Sequence, residues 1–470
     1  MGRIADPFRR AGGNRRAGAV VLCLLTAGAQ STSATSTFQS LEPPHGMSVV
    51  VPQASWETRT PEQVGLLPSS LDALRDTLGG RGAIVRHGYL VYTWGDVTTR
   101  ADVASAAKPL YAHFLFEAVE RGRLLSVDAK ASQRGATCLT GLNPSLDYKD
   151  RRITFRHMAN QVSCYGVSEA PGRAFDYNDY QMALFWDTLF LGVWGTTYAS
   201  VDAEVLRPYL SSVLLFQDAP TFLAFGAADR PGRLAISPRD FCRLGLLYLR
   251  RGDWGGVRIL PEEQTLDAVT RSLPPDLPRT EAVEADMCPG QRTLGSASVP
   301  DDQYAHDGGY SWGWWVNGKT STGARRWPSA EANVYAAIGH DGKSGLAVVP
   351  CLDLVLSWND GAPDVMDEVL ARLYEAASAS PLEAPHDVGP VLRMSKVAGG
   401  LRLSWGGDDG APRPAGEHYH VLRGTQPREL DLAPDTHPRW AARYDEPAGW
   451  EPLVFYRIVA ASACEQVSGD

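Results

Sequence analysis

The sequence predicts an α+β domain followed by a small all-β sandwich. Two observations carry this. First, a hairpin pattern, a run of helical patterns and a run of strand patterns follow one another, so one sheet must draw strands from both ends of the segment. Second, past a proline-containing linker, "ASASPLEAPHDVGP" at 377–390, the helical period vanishes and only short strand patterns remain. The chain has 470 residues, too many for one ordinary domain, and 44% of them are hydrophobic, enough for a substantial core.

Taken in order, residues 1–35 read as a signal peptide and disordered N-terminus. Arg3, Arg9, Arg10, Arg15 and Arg16 precede the apolar run "AGAVVLCLLTAGA" and the small-residue exit "QSTSATS". The run is too short for a spanning helix, and Leu22 before Cys23 argues against a lipoprotein cleavage site. The expected protein is therefore exported, with no integral membrane span once the signal is removed.

In "AIVRHGYLVYTWGD" (83–96) apolar and polar residues alternate around a turn, which predicts a β-hairpin. "AKPLYAHFLFEAVERGRL" predicts a helix with Pro109 in its first turn and Gly122 at its end. "ITFRHMANQVS" and "DYQMALFWDTLFLGVW" predict helices. So does "SPRDFCRLGLLYLRRGDWGG", capped by Ser237 and ended by Gly252. "YSWGWWVN", "VYAAIGH" and "LAVVPCLDLVLSW" predict the strands that complete the sheet. Beyond the linker, "LRLSW", "HYHVLRG" and "VFYRIVAAS" predict a sandwich over 388–470.

The formal charge of −9 and the absence of a basic stripe argue against a nucleic-acid partner. Of seven cysteines, six remain after signal removal: Cys138, Cys164, Cys242, Cys288, Cys351 and Cys464. Cys138 and Cys164 flank a loop-rich segment and could pair. Cys242 and Cys351 sit in apolar surroundings that suit buried thiols. No spacing matches a metal site, there is no HExxH, and His418 and His420 lack a third ligand nearby.

Only six of the 45 basic residues are lysines, and one of them completes Ser105-Ala-Ala-Lys108. On a helix, i and i+3 share a face. A buried lysine can accept a serine proton, which arginine cannot. A chain this long holds about one SxxK match by chance. Two further motifs follow in order: Tyr177-Asn178-Asp179 before a helix, and His340-Asp341-Gly342 before an apolar strand.

Together these resemble the β-lactamase-type serine hydrolases: class C β-lactamases, D,D-peptidases and their esterase relatives, which carry SxxK, YxN and KTG or HxG in that order. The resemblance spans about residues 57–380, within a domain placed at 50–380, and implies a β-lactamase/transpeptidase-like fold with an antiparallel sheet, helices and a helical subdomain. It implies Ser105 as acylated nucleophile, Lys108 as its base or proton shuttle and Tyr177 as proton relay. His340 and Gly342 would face a substrate oxyanion or carboxylate. The N–H groups of Ser105 and Lys343 would form the oxyanion hole. No metal or organic cofactor is implied.

Two positions depart from the family pattern. Asp179 stands where the family has asparagine; a carboxylate accepts hydrogen bonds but donates none. It could pair with Lys108 and hold it protonated, and its lost donor disfavours amide-bearing substrates. Pro109 replaces the hydroxyl residue after the lysine. Esters or related acyl compounds are thus the expected substrates, with D,D-peptidase or β-lactamase activity as alternative. A non-catalytic binder of cell-wall or acyl ligands is the reading from another class. The partner expected is a small-molecule or peptide acyl substrate.

A rival nucleophile is Ser311 in Gly309-Tyr-Ser-Trp-Gly313, with Glu331 and His340 following. It lacks the strand–turn–helix context that GxSxG requires. The C-terminal segment resembles a fibronectin type III module, which would act as a spacer or dock on a cell-envelope polymer.

Overall fold

The computed structural model describes residues 50–224, 231–291, 293–294 and 305–377, together with the backbone of isolated strands elsewhere. The chain divides into two compact units, one formed by 39–383 with 464–470 and the other by 1–38 with 384–463.

The larger unit is built on a seven-stranded antiparallel sheet. Its strands are β1 (Arg81–Arg86), β2 (Tyr89–Trp94), β6 (Tyr310–Ser311), β7 (Trp314–Val316), β8 (Tyr335–Ile338), β9 (Gly345–Val349) and β10 (Leu354–Asn359). The order β2-β1-β10-β9-β8-β7-β6 joins the N-terminal hairpin to the last strand, as a sheet drawn from both ends of the segment requires. Register pairs Ile84 with Leu356 and Ala347 with Leu356 on its other side. The β1–β2 turn uses His87 (φ 54°) and Gly88 (φ 85°), a left-handed pair that matches the twist of the flanking strands. A smaller sheet, β3-β5-β4, pairs Ala101–Asp102 (β3), Thr221–Ala224 (β4) and Pro231–Ile236 (β5).

Seven α-helices accompany these sheets among the described residues: α1 (Pro68–Leu78), α2 (Lys108–Glu120), α3 (Phe155–Ala159), α4 (Asp179–Trp186), α5 (Pro238–Leu249), α6 (Glu262–Thr270) and α7 (Met366–Ala377). Helix α5 packs on β1, β9 and β10, and α1 packs with α7. Gly245 makes the α5 contact possible: a Cβ there would lie 2.5 Å from Val355 Cγ1. Helix α2 is buried from Lys108 to Ala118, on every face, as a central helix must be.

Several elements differ in extent from the sequence expectation. Helix α3 is only five residues long, set by a capping box between Thr154 and His157. The segment after α4 continues as a π-helix, Asp187–Val193. Helix α5 is capped by Ser237 as expected, but it ends at Leu249, and Arg251 and Gly252 turn through positive φ. Ser105 lies not in an α-helix but on a 3₁₀ turn, Ala104–Ala107, leading into α2.

The expected Cys138–Cys164 pair is not formed. Cys138 bonds Cys288, 150 residues away, while Cys164 is a buried thiol beside the carbonyl of Ala174 (3.6 Å). The loop ending at Cys288 folds back to Cys138, a proximity that local spacing does not reveal. Cys242 and Cys351 are buried free thiols.

In the smaller unit, strands Leu392–Val397, Gly400–Trp405 and Arg443–Pro447 form one antiparallel sheet. Leu22–Cys23, Phe455–Ala461, His418–Gln426 and Glu429–Leu432 form a second. The expected linker beyond Ala377, the rest of the expected signal segment, Cys464 and the packing of the expected sandwich lie outside the described residues. No helix among the described residues is long and apolar enough to cross a membrane.

Candidate active site

The site begins at the join between β3 and α2. Asp102, held by two contacts from Arg233 (3.0 and 2.8 Å), accepts the N–H of Ala104 at 2.8 Å. Val103 bonds Leu234 on β5. Ala104 then takes a left-handed conformation (φ 48°), uncommon for a residue with a side chain. This anchored kink presents Ser105 on its short 3₁₀ turn. In such a turn i and i+3 eclipse, and Lys108 Nζ donates to Ser105 Oγ at 2.8 Å. The Ser105 N–H bonds no protein group among the described residues.

Lys108 is 8% exposed. Its Nζ lies 3.3 Å from Asp179 Oδ1 and 4.5 Å above the centre of the Tyr177 ring. Burial, the largest single influence, pushes the ammonium toward losing its proton; the Asp179 carboxylate, Tyr177 and Tyr310 together outweigh it, and the net shift is upward. Lys108 is therefore an ammonium.

The loop carrying Tyr177 is held from both sides. Asp176 bonds the Gln161 carbonyl at 2.9 Å, and Phe175 exchanges backbone bonds with Pro278 and Thr280, both 2.8 Å. Tyr177 stacks on Trp315 (centroids 6.1 Å, 22°) and meets Tyr310 edge-on. Asn178 is committed to structure: its side chain caps α4 and bonds Tyr165 and Asp176. Asp179 opens α4, where the helix N-terminus favours a carboxylate.

Ser105, Lys108, Tyr177 and Asp179 line a cleft of about 980 Å³, together with Arg233, Trp315, Arg326, His340 and Gly342. Arg326 lies over the Trp315 ring at 4.0 Å. Sequence reasoning passed over Asp102, Arg233, Tyr310, Trp315 and Arg326, because nothing local marks them; their roles arise from packing against motif residues.

At the third motif, His340–Gly342 forms a 3₁₀ turn with Asp341 at φ 54°. The His340 side chain is exposed, 3.3 Å from Asp341. Lys343 departs from expectation: its N–H donates to the His340 carbonyl at 3.2 Å, closing the turn, so it is not offered to an oxyanion in this conformation.

Ser311 sits in the tight β6–β7 hairpin. It is fully buried, its hydroxyl reaches the Asp267 carbonyl at 3.4 Å, and it does not line the cleft. The GxSxG match is a glycine turn between two core strands, with Trp312 (φ 50°) and Gly313 (φ 88°) at its tip. A Cβ on Gly313 would lie 2.7 Å from the Lys108 carbonyl carbon, so the hairpin presses directly on the lysine backbone.

No family model and no curated protein matches the chain. Among solved structures it is similar to a protein assigned as a 6-aminohexanoate-dimer hydrolase from Bacillus anthracis, at 15% identity over 68% of this chain and 86% of that one, with a TM-score of 0.46. It is similar to a β-lactamase from Mycobacterium bovis, at 17% identity over 66% and 97%, TM-score 0.40. A penicillin-binding protein homologue from Caulobacter crescentus follows at 15% identity over 67% and 98%, TM-score 0.41.

Proposed function

We propose that this protein is a serine hydrolase of the β-lactamase type that works through an acyl-enzyme on Ser105, with carboxylic esters or related acyl compounds as substrates. The observation that carries the reading is the Ser105 Oγ–Lys108 Nζ contact of 2.8 Å on the wall of an open cleft. In this reading the Ser105 oxygen attacks the acyl carbon and the carbonyl electrons move to its oxygen. The unpaired Ser105 N–H stabilises that oxyanion. Tyr177, against Lys108, relays a proton to the leaving group. His340 and Gly342, which also line the cleft, border the acyl compound. Asp179 offers no donor to a substrate amide, which favours esters over D,D-peptides and lactams.

The ion pair with Asp179 also favours a second reading, a binder of acyl ligands that does not turn them over, because an ammonium is no base. In both readings the protein is exported, an inference supported by the Cys138–Cys288 disulfide. The C-terminal strands would serve as a fibronectin-like spacer or envelope-docking module.

The test is intact mass after exposure to a fluorophosphonate, for the full chain and for Ser105→Ala. One adduct on the first and none on the second is expected. An adduct that persists on Ser105→Ala would move the nucleophile elsewhere. A folded, unlabelled wild type would leave the binder reading standing.

A further inference from the structure

We propose that Asp179 is the terminal proton acceptor of a Ser105–Lys108–Asp179 relay, a role resting on the serine-hydrolase reading above. The geometry is a continuous chain of donors and acceptors. Lys108 Nζ donates to Ser105 Oγ at 2.8 Å and to Asp179 Oδ1 at 3.3 Å. An ammonium has no lone pair, so Lys108 takes the serine proton only by releasing one of its own, and Asp179 stands within reach of it. Asparagine at this position could not accept that proton; a carboxylate can.

The step balances. The Oγ–H bond breaks as the Oγ–acyl carbon bond forms, and the carbonyl π pair becomes the oxyanion. The serine proton passes to Nζ while another proton leaves Nζ for Asp179 Oδ1. Lys108 ends as it began, an ammonium, and Asp179 ends as a neutral acid. When the leaving group departs, the same path runs backward: Asp179 returns its proton to Lys108, and a proton on the Lys108 side, directly or through Tyr177, reaches the leaving oxygen. The oxyanion pair re-forms the carbonyl as the acyl bond to the leaving group breaks with its electron pair on that oxygen.

The groups facing Lys108 are few. Ser105 comes from its own turn, Asp179 from α4, Tyr177 from the loop before it and Tyr310 from β6. Arg233, Arg326, His340, Asp341, Asp364 and Asp367 also line the cleft. Asp179 is the one carboxylate bonded to Lys108 among the described residues.

The experiment measures the rate of fluorophosphonate labelling from pH 5 to 9 for the full-length wild type, Asp179→Asn and Asp179→Glu, with Ser105→Ala as blank. Chemical unfolding midpoints check that each variant is folded. Removal of a proton acceptor predicts that Asp179→Asn labels about 100-fold more slowly or worse, at every pH. Asp179→Glu should recover part of the rate. The relay is overturned if Asp179→Asn labels as fast as wild type or faster, since Asp179 would then be a lock on the lysine. It is equally overturned if Asp179→Asn regains the wild-type rate at high pH, where free Lys108 would suffice. Failure of the underlying reading looks different: Ser105 would not label in wild type at any pH.

Discussion

Glu117 lies on the buried helix that begins at Lys108, and burial pushes its carboxyl up to about 7 against the opposing pull of Arg121. Its Oε2 has no partner, and Arg121 reaches Oε1 at a loose 3.4 Å. The sign follows from linkage. Below pH 4.5 the group is protonated folded and unfolded. Between 4.5 and 7 the unfolded chain releases the proton that the folded one keeps, so stability is lost as pH rises through that window. A shift of this size is worth on the order of 3 kcal/mol. Glu117→Gln should therefore stabilise the protein by about 2–3 kcal/mol at pH 8 and hardly at all at pH 4, read from urea unfolding at both. Equal effects at the two values would show that the carboxyl is not held neutral. At the same scale, the i, i+3 spacing indicates that Ser105 and Lys108 share a face, whereas the meeting of Asp179 with the lysine, 71 residues on, is implied only by the resemblance of the ordered motifs. It does not indicate that Lys343 spends its N–H on His340, which depends on Asp341 entering the left-handed region.

At the scale of elements, the β6–β7 hairpin packs closely against the site. Gly313 needs both its positive φ and its missing side chain, since any Cβ meets the backbone of Lys108 and Pro109 within 3 Å. Gly313→Ala should cost about 2–4 kcal/mol from strain and overpacking. It should also slow labelling of Ser105, because α2 can relieve the clash only by shifting Lys108. Wild-type labelling by a destabilised variant would mean that the hairpin supports the fold but does not set the lysine. The same hairpin shows what sequence reading catches and misses. The aromatic run predicts a strand here but not the turn at Trp312 and Gly313 that splits it in two, and the absence of an elbow context sets Ser311 aside. The pressure of Gly313 on Lys108 joins residues two hundred positions apart, and no local pattern encodes it. The change from α- to π-helical winding after Trp186 and the stop of α5 at Leu249, three residues before Gly252, are likewise marked by no local pattern.

At the scale of the whole larger unit, the Cys138–Cys288 disulfide closes a loop of 150 residues that contains Tyr177, Asp179 and α5. The segment leading to Cys288 is a strap along the Tyr177 loop. It bonds Phe175 through Pro278 and Thr280, Gly166 through Ala285 and Tyr165 Oη through the Cys288 N–H, and just beyond it Leu294 bonds the Asp179 carbonyl at 3.4 Å. The cross-link thus restrains the unfolded chain and fixes the strap that supports Asp179. In the chain-entropy account, a loop of this length contributes about 5 kcal/mol. Reduction, or the paired change Cys138→Ala with Cys288→Ala, should lower the melting temperature by on the order of 10 °C. Labelling of Ser105 should slow at temperatures where the reduced protein is still folded, because the carboxylate opposite Lys108 loses its tether before the core opens. A reduced protein that melts within about 2 °C of the oxidised one would show that the strap is held by its hydrogen bonds alone. A reduced protein that melts lower but labels at the full rate would separate the two roles, leaving the disulfide to stability and the placement of Asp179 to the cap on α4.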